Sequence, residues 1–331
     1  MNKYFLQIIR ILVFAVSMAG LSTVHGDPYK ITVSGASPSG LWSLLGAGID
    51  AAIRSAYPGS TITYQTSGGG IANIAILLRD DANLALVHDA ELLLAKNGSP
   101  PFREPIDDIR ILAYLYDWAP MQAIIRDSFA REHGIETFED IARLKPPITI
   151  AINRRGNIAS NIAEEMLSAI NVREPEIKRW GGRLIYAASN EQMTLIQDRR
   201  ADMILNSLFV QHSSIMQAGS SVKLRLLPVS EATISRVTEN TATISFTIPG
   251  DSYEWAPEDV KTVSLGATLA VRSDMDDQTA YELTRALFEN YEKLTSVHPA
   301  MKVLTPEIMA TQAVVPFHNG ALRYLREIGL R

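Results

Sequence analysis

The chain has 331 residues, 47% of them hydrophobic and 20% charged, so it can bury a sizeable core and suits two α/β lobes better than one small domain. A net charge of −5 argues against general nucleic-acid binding, though it leaves room for a local positive pocket. The absence of cysteine excludes disulfides and a lipid anchor of the lipobox type.

The first 26 residues read as a cleavable export signal. Lys3 and Arg10 form a basic start, Ile11 to Leu21 is an uncharged apolar run, and small residues precede Asp27. The run is shorter than the roughly 20 residues of a membrane span. An exported chain without disulfides fits a bacterial periplasm.

From residue 27 strands and helices alternate. Ile31 and Val33 alternate with Thr32 and Ser34 as a strand. A loop of small residues, Gly35 to Gly40, follows it, then a helix with Leu41, Leu44, Leu45, Ile49 and Ile53 at helical spacing. Free N–H groups and hydroxyls near Ser37, Ser39 and Gly40 suit an anion, although an ordinary βα turn has the same form. The loop lacks the middle glycine of a dinucleotide fingerprint and the lysine of a P-loop.

Thr61 to Gln65 is a second strand. Its loop, Thr66-Ser67-Gly68-Gly69-Gly70, opens a helix at Ile71, and the glycines there let a ligand approach the backbone. The two loops together would form a double anion cradle. Asn83 to Val87 is a third strand, ending at His88-Asp89, with Asp89 as a helix cap. Arg110 to Tyr116 and Met121 to Ile125 read as two strands, with Asp117 to Pro120 as a crossing between lobes.

A second series follows. It comprises a strand at Ile148 to Ile152, the loop Asn153-Arg154-Arg155-Gly156-Asn157, a helix from Ala159 to Ile170 and a strand at Arg183 to Tyr186. Ser189 to Gln192 looks like a capping box. Ala201 to Leu205 is a strand, Ser207 to Ala218 a helix, and Val222 to Leu227 a strand returning to the first lobe. Thr262 to Val271 is strongly β, and helices run from Asp277 to about Thr295 and from Asn319 to Ile328.

Arg154 or Arg155 could fork onto a carboxylate, and Trp42, Trp118 and Trp180 could wall a pocket. Micromolar affinity requires about −8 kcal/mol, whereas a charge-assisted hydrogen bond supplies roughly 1.5–3, so both lobes have to contribute. The six histidines show no metal-ligand spacing and there is no Gly-x-Ser-x-Gly elbow; no metal, cofactor or catalytic residue is expected.

These features resemble the TAXI family, substrate-binding subunits of TRAP (tripartite ATP-independent periplasmic) transporters. Ile31 to Trp42 resembles the family's opening strand and loop, and Thr66 to Asn73 its Thr-Gly-Gly-Ser-x-x-Asn element. Pro249 to Tyr253, Tyr281 to Asn290 and Val315 to Tyr324 are the most specific matches. Departures sit at ligand loops: Gly156 to Ala159 replaces Gly-Ser-Gly-Thr, Ser39 replaces a glycine, and Asn206 to His212 replaces a Gly/Pro-rich loop.

The resemblance implies an α/β, two-lobe periplasmic binding protein (type II-like), with mixed sheets flanked by helices and a ligand cleft between the lobes. The expected divisions are 1–26 signal peptide, 27–118 lobe 1, 119–220 lobe 2, and 221–331 a return to lobe 1 with C-terminal helices. The ligand would be a small anionic or zwitterionic solute, delivered to inner-membrane TRAP permease subunits. Expected ligand contacts are Ser37, Ser39, Gly40 and Trp42; Ser67, Gly69, Gly70 and Asn73; His88 and Asp89; and Arg154, Arg155, Asn157 and Asn206. A solute sensor feeding a signalling partner remains open beside this reading, as does a periplasmic hydrolase using Ser, His and Asp.

Overall fold

The computed structural model describes residues 28–38 and 40–331. The export-signal expectation and Ser39 lie outside the described residues. No helix among the described residues is long and apolar enough to cross a membrane.

The strands are β1 (Lys30–Ser34), β2 (Thr61–Gln65), β3 (Leu84–His88), β4 (Ile109–Arg126), β5 (Thr149–Ile152), β6 (Arg183–Tyr186), β7 (Met203–Ser207), β8 (Leu224–Leu226), β9 (Ile244–Ile248) and β10 (Val260–Arg272). The main helices are α1 (Leu41–Ala56), α2 (Gly70–Leu78), α3 (Asp89–Lys96), α4 (Asp127–His133), α5 (Ile158–Ala169), α6 (Ser189–Gln197), α7 (Ser213–Ser221), α8 (Glu231–Thr241), α9 (Asp277–Glu289) and α10 (Asn319–Glu327). The strand order is β2-β1-β3-β10-β4-β7-β5-β6, with β8 added to β4 and β9 to β10.

Two parallel groups, β2-β1-β3 and β7-β5-β6, flank the long antiparallel strands β10 and β4. Each group carries helices on its faces, the α/β arrangement expected from the alternation. One core gathers Leu45, Ile49, Leu86, Leu269 and Leu287; a second gathers Phe138, Ile150, Ile162, Met166 and Leu205. All these side chains are buried, and their apolar area is the main source of stability, at roughly 25 cal/mol per Å² removed from water.

Several local expectations needed correction. Asp117 to Pro120 does not separate two strands, because β4 runs unbroken from Ile109 to Arg126. Pro120 fits there because its fixed φ and the extended preference of the residue before it are both β-compatible. Its carbonyl still accepts the Leu208 N–H. β8 pairs with Ile124 to Arg126 on the edge of β4 opposite β7, and not beside β1 to β3. Ser189 is the first residue of α6 and not its cap, and Gln192 turns inward to donate to the Ala187 carbonyl at 2.8 Å. The long helix from Asp277 stops at Glu289, and a separate turn covers Glu292–Thr295. Residues 208–212 form a loop before α7. Helix α8 and strand β9 were not anticipated, although Ser230 is an ordinary cap whose Oγ accepts the Thr233 N–H at 3.3 Å.

The loop 208–212 is fastened by long-range contacts. Tyr253 donates to Gln122 Oε1 at 2.8 Å and accepts the Gln211 N–H at 3.1 Å, while Gln122 Nε2 donates to the Leu208 carbonyl at 2.8 Å. This gives the Pro249 to Tyr253 segment a structural task. His212 caps α7 by accepting the Ser214 N–H on Nδ1 at 3.3 Å. Burial lowers the His212 pKa, and the nearby His298 lowers it further. The folded state therefore resists a proton that the unfolded chain accepts near pH 6.5. This contribution to stability is complete above about pH 6.5 and declines as the pH falls below it. Urea midpoints at pH 7.5 and pH 5.5 should differ more for the wild type than for His212→Asn, which keeps a capping acceptor that does not titrate. An equal pH dependence in the two proteins would contradict this assignment.

Candidate functional site

All six parallel strands point their C-terminal ends toward one region, the usual position of a ligand crevice in α/β sheets. A cleft of about 510 Å³ lies there, within the usual range for small-molecule sites. From the first group its walls are Ala36, Ser37, Trp42, Ser67 to Gly70, His88 and Glu91. From the second they are Asn153 to Ile158, Ala188 and Ser189. An adjoining recess of about 270 Å³ adds Gly40, Leu41, Ser207 and Leu265. A slightly larger cavity, about 560 Å³, lies beside α5 and β6, away from most of the strand-end loops.

The first loop is held from below. The Tyr64 hydroxyl accepts the Ala36 N–H at 2.7 Å, and its ring fills the space where side chains at Gly35 and Gly46 would stand. Gly35 is therefore required by Tyr64. Ser67 Oγ lies 2.5 Å from both the Gly35 carbonyl and Asn73 Oδ1, and it accepts the Gly69 N–H at 3.0 Å. These bonds join the first and second loops into one wall. Gly69 has φ +115°, a conformation that glycine adopts without strain.

The start of α2, expected to receive a ligand anion, is already faced by an acid of the chain. Glu91 is 3% exposed, and its carboxylate stands where a Gly70 side chain would begin, with Oε2 1.5 Å from that position. Glu91 Oε2 accepts the His88 N–H at 2.9 Å and lies 3.2 Å from His88 Nδ1. On its other side His88 Nε2 is 3.4 Å from the Tyr116 hydroxyl, which accepts the Trp42 Nε1–H at 3.0 Å. The His88 ring lies against Trp42, centroids 4.7 Å apart. Burial raises the Tyr116 pKa, so the phenol stays protonated. His88 is thus engaged by Glu91 and Tyr116, not by a serine.

The second wall separates the two arginines. Arg155 stacks over the Tyr186 ring at 3.6 Å and lies 3.5 Å from Glu174. The Tyr186 hydroxyl in turn donates to Glu164 at 2.6 Å. Lys178 and Arg155 hold the Glu174 pKa below its ordinary value. Arg154 has no side-chain partner among the described residues; its N–H donates to Asn153 Oδ1 at 2.8 Å. Asn157 caps α5 by accepting the Ala159 N–H at 2.9 Å.

Of the residues expected in the site, Ser37, Gly40, Trp42, Ser67, Gly69, Gly70, His88, Arg154, Arg155 and Asn157 line the cleft or its recess. Asn73, Asp89 and Asn206 do not. Asn73 is fully buried and donates to the Leu86 carbonyl at 2.7 Å. Asp89 is not the cap of α3, a position held by His88. Its carboxylate faces the Val314 N–H at 3.2 Å and Tyr114, and burial raises its pKa against those hydrogen bonds. Asn206 is buried behind the wall, where it accepts from Asn153 at 3.2 Å and donates to Ser189 at 3.0 Å. Trp118 and Trp180 pack against the cores, leaving Trp42 as the tryptophan in the cleft.

Glu91, Asn153 and Ser189 were missed. The i,i+3 spacing of His88 and Glu91 at a helix start was a readable signal for the first. Asn153 and Ser189 carried none, because Asn206 positions them from far along the chain.

Residues 33–329 match the sequence model of the NMT1-like family. Comparison with curated proteins finds no match. Among solved structures the chain is similar to MatC of Rhodopseudomonas palustris, solved with bound malate, at a TM-score of 0.56 and 12% identity, covering 91% of this chain and 96% of that one. It is similar to a TctC solute binding protein from Polaromonas at a TM-score of 0.53 and 14% identity, covering 85% and 88%. PhnD1 of Prochlorococcus marinus, solved with methylphosphonate, gives a TM-score of 0.52 and 10% identity, covering 92% and 100%. At these identities the likeness shows the fold: the α/β architecture of solute-binding proteins.

Proposed function

We propose, for a chain that belongs to the NMT1-like family, the role of a periplasmic solute receptor that binds a small carboxylate-bearing solute and passes it to a membrane permease. The observation that carries this reading is the cleft itself. Loops from both parallel groups line one space of about 510 Å³, and the unpaired Arg154 guanidinium stands at its second wall. Ser37 and Ser67 to Gly70 line the first. A solute touching both walls favours the closed arrangement of the two lobes, which bend along the shared strands β4 and β10. The lobe divisions proposed are 27–118, 119–220 and 221–331, with β8 and the start of the last segment kept on the second lobe. The Val315 to Tyr324 segment supports placement in the TAXI subfamily and a TRAP-type permease as partner.

A thermal-shift panel of small carboxylates, amino acids and neutral sugars on the chain from residue 27 tests the reading. Ligand at 100 times its dissociation constant stabilises by about 2.7 kcal/mol, several degrees for a chain of this length. A melt that answers to neutral sugars and to no carboxylate would sink the proposal.

A further inference from the structure

We propose that Glu91 sets the charge preference of the cleft: the bound solute presents an ammonium, or another strong hydrogen-bond donor, to this carboxylate, and dicarboxylates lacking such a group are rejected. The inference rests on the solute-receptor reading and specifies its ligand.

Three observations carry it. First, Glu91 is 3% exposed yet lines the cleft. Its Oε2 is engaged by His88, while Oε1 has no hydrogen bond among the described residues. A carboxylate oxygen that borders an open cavity and has no partner within the fold is an acceptor available to a donor. Second, the carboxylate fills the space over Gly70 at the start of α2. The place where a ligand anion would meet the helix N-terminus already holds a negative charge, and a second anion there would be repelled. Third, among the described residues the first wall supplies no lysine or arginine to the cleft; Arg154 and Arg155 both belong to the second. The cleft is therefore dipolar. A solute spanning it is complementary when its carboxylate faces Arg154 and its donor faces Glu91.

The neighbouring ionisable groups leave this polarity in place. His88 lies on the Oε2 side and Tyr116 beyond it, so neither occupies Oε1. Asp89, on the same helical turn, is directed to Val314 and Tyr114.

The test is calorimetric titration at pH 8 with probe pairs that share a carbon skeleton. Suitable pairs are α-amino acids with their 2-oxo acids, and 4-aminobutyrate with succinate. Wild-type protein should favour the ammonium-bearing member by about tenfold or more, equivalent to about 1.4 kcal/mol. Glu91→Gln, which keeps the side-chain shape, should lose that preference, leaving the paired affinities within about threefold. The wild-type ratio is decisive even if the variant fails to fold. Equal or tighter binding of the oxo acids and succinate by wild type overturns the inference, as does an equal loss for both members in Glu91→Gln. If carboxylates bind in an Arg154-dependent way without the ammonium preference, the role of Glu91 falls and the receptor reading stands. If no probe of either kind binds, both fall.

Discussion

Arg154→Ala is expected to weaken binding of the preferred carboxylate solute by roughly 10- to 150-fold, while Arg155→Ala changes it by less than about threefold. Both arginines follow β5 in one loop and both border the cleft, so proximity does not separate them. Their partners do. The Arg155 guanidinium is stacked on Tyr186 and paired with Glu174, and engaging a ligand would disturb both contacts. Arg154 carries no competing side-chain contact among the described residues, so a carboxylate gains its full charge-assisted hydrogen bonds, about 1.5–3 kcal/mol. The side chain of Arg155 is 67% exposed, and exposed ion pairs contribute about 0–1 kcal/mol, so neither substitution should move the melting temperature by more than a degree or two. Calorimetric titration of the two single variants decides the matter. A larger loss in Arg155→Ala than in Arg154→Ala would reverse the assignment.

Gly320→Ala is expected to produce a large loss of stability, about 1–3 kcal/mol or more, with little effect on solute affinity. Gly320 lies in the first turn of α10, pressed against the start of α9. A methyl group there would stand 2.0 Å from the Asp277 carbonyl oxygen and 2.7 Å from the Tyr281 nitrogen. These are backbone atoms, and no rotamer change relieves the overlap. The helices must move apart, disturbing the packing of Leu283, Leu287, Ala321 and Leu325 in the first core. His318 caps α10 by accepting the Gly320 N–H at 3.2 Å, so the same movement strains the cap. Urea unfolding should show a lower midpoint with an unchanged slope. A wild-type midpoint would mean that the two helices separate without cost. Gly320 lies in the Val315 to Tyr324 segment, and its close packing gives that segment a structural reason for its pattern.

Short-range pattern made the alternation of strands and helices legible. Thr61 to Gln65 and Arg183 to Tyr186 are strands with the expected bounds, and the loops at 35–40, 66–70 and 153–157 meet at strand ends as expected. Period-2 and period-3.6 patterns are local properties, set by which faces a segment must bury. The same reasoning failed at Asp117 to Pro120, because a proline in a strand is tolerated only when its neighbours satisfy the sheet another way. Here Leu208, 88 residues on, supplies the donor.

The site divided along the same line. The sequence by itself determined which loops approach one another, since parallel strands joined by helices must place their C-terminal ends on one side. Only the tertiary structure decided which side chains in those loops are free to meet a solute. Ser67 is bonded to Gly35, Arg155 to Tyr186 and Glu174, and Asn206 to Asn153 and Ser189, all pairs distant in the chain. Glu91 follows the same rule: the space beside Gly70 makes a seemingly ordinary helical acid the negative pole of the cleft. Whether a polar group is spent inside the fold or left for a ligand is settled by three-dimensional neighbours, because a buried donor or acceptor takes whichever partner the packing brings to it.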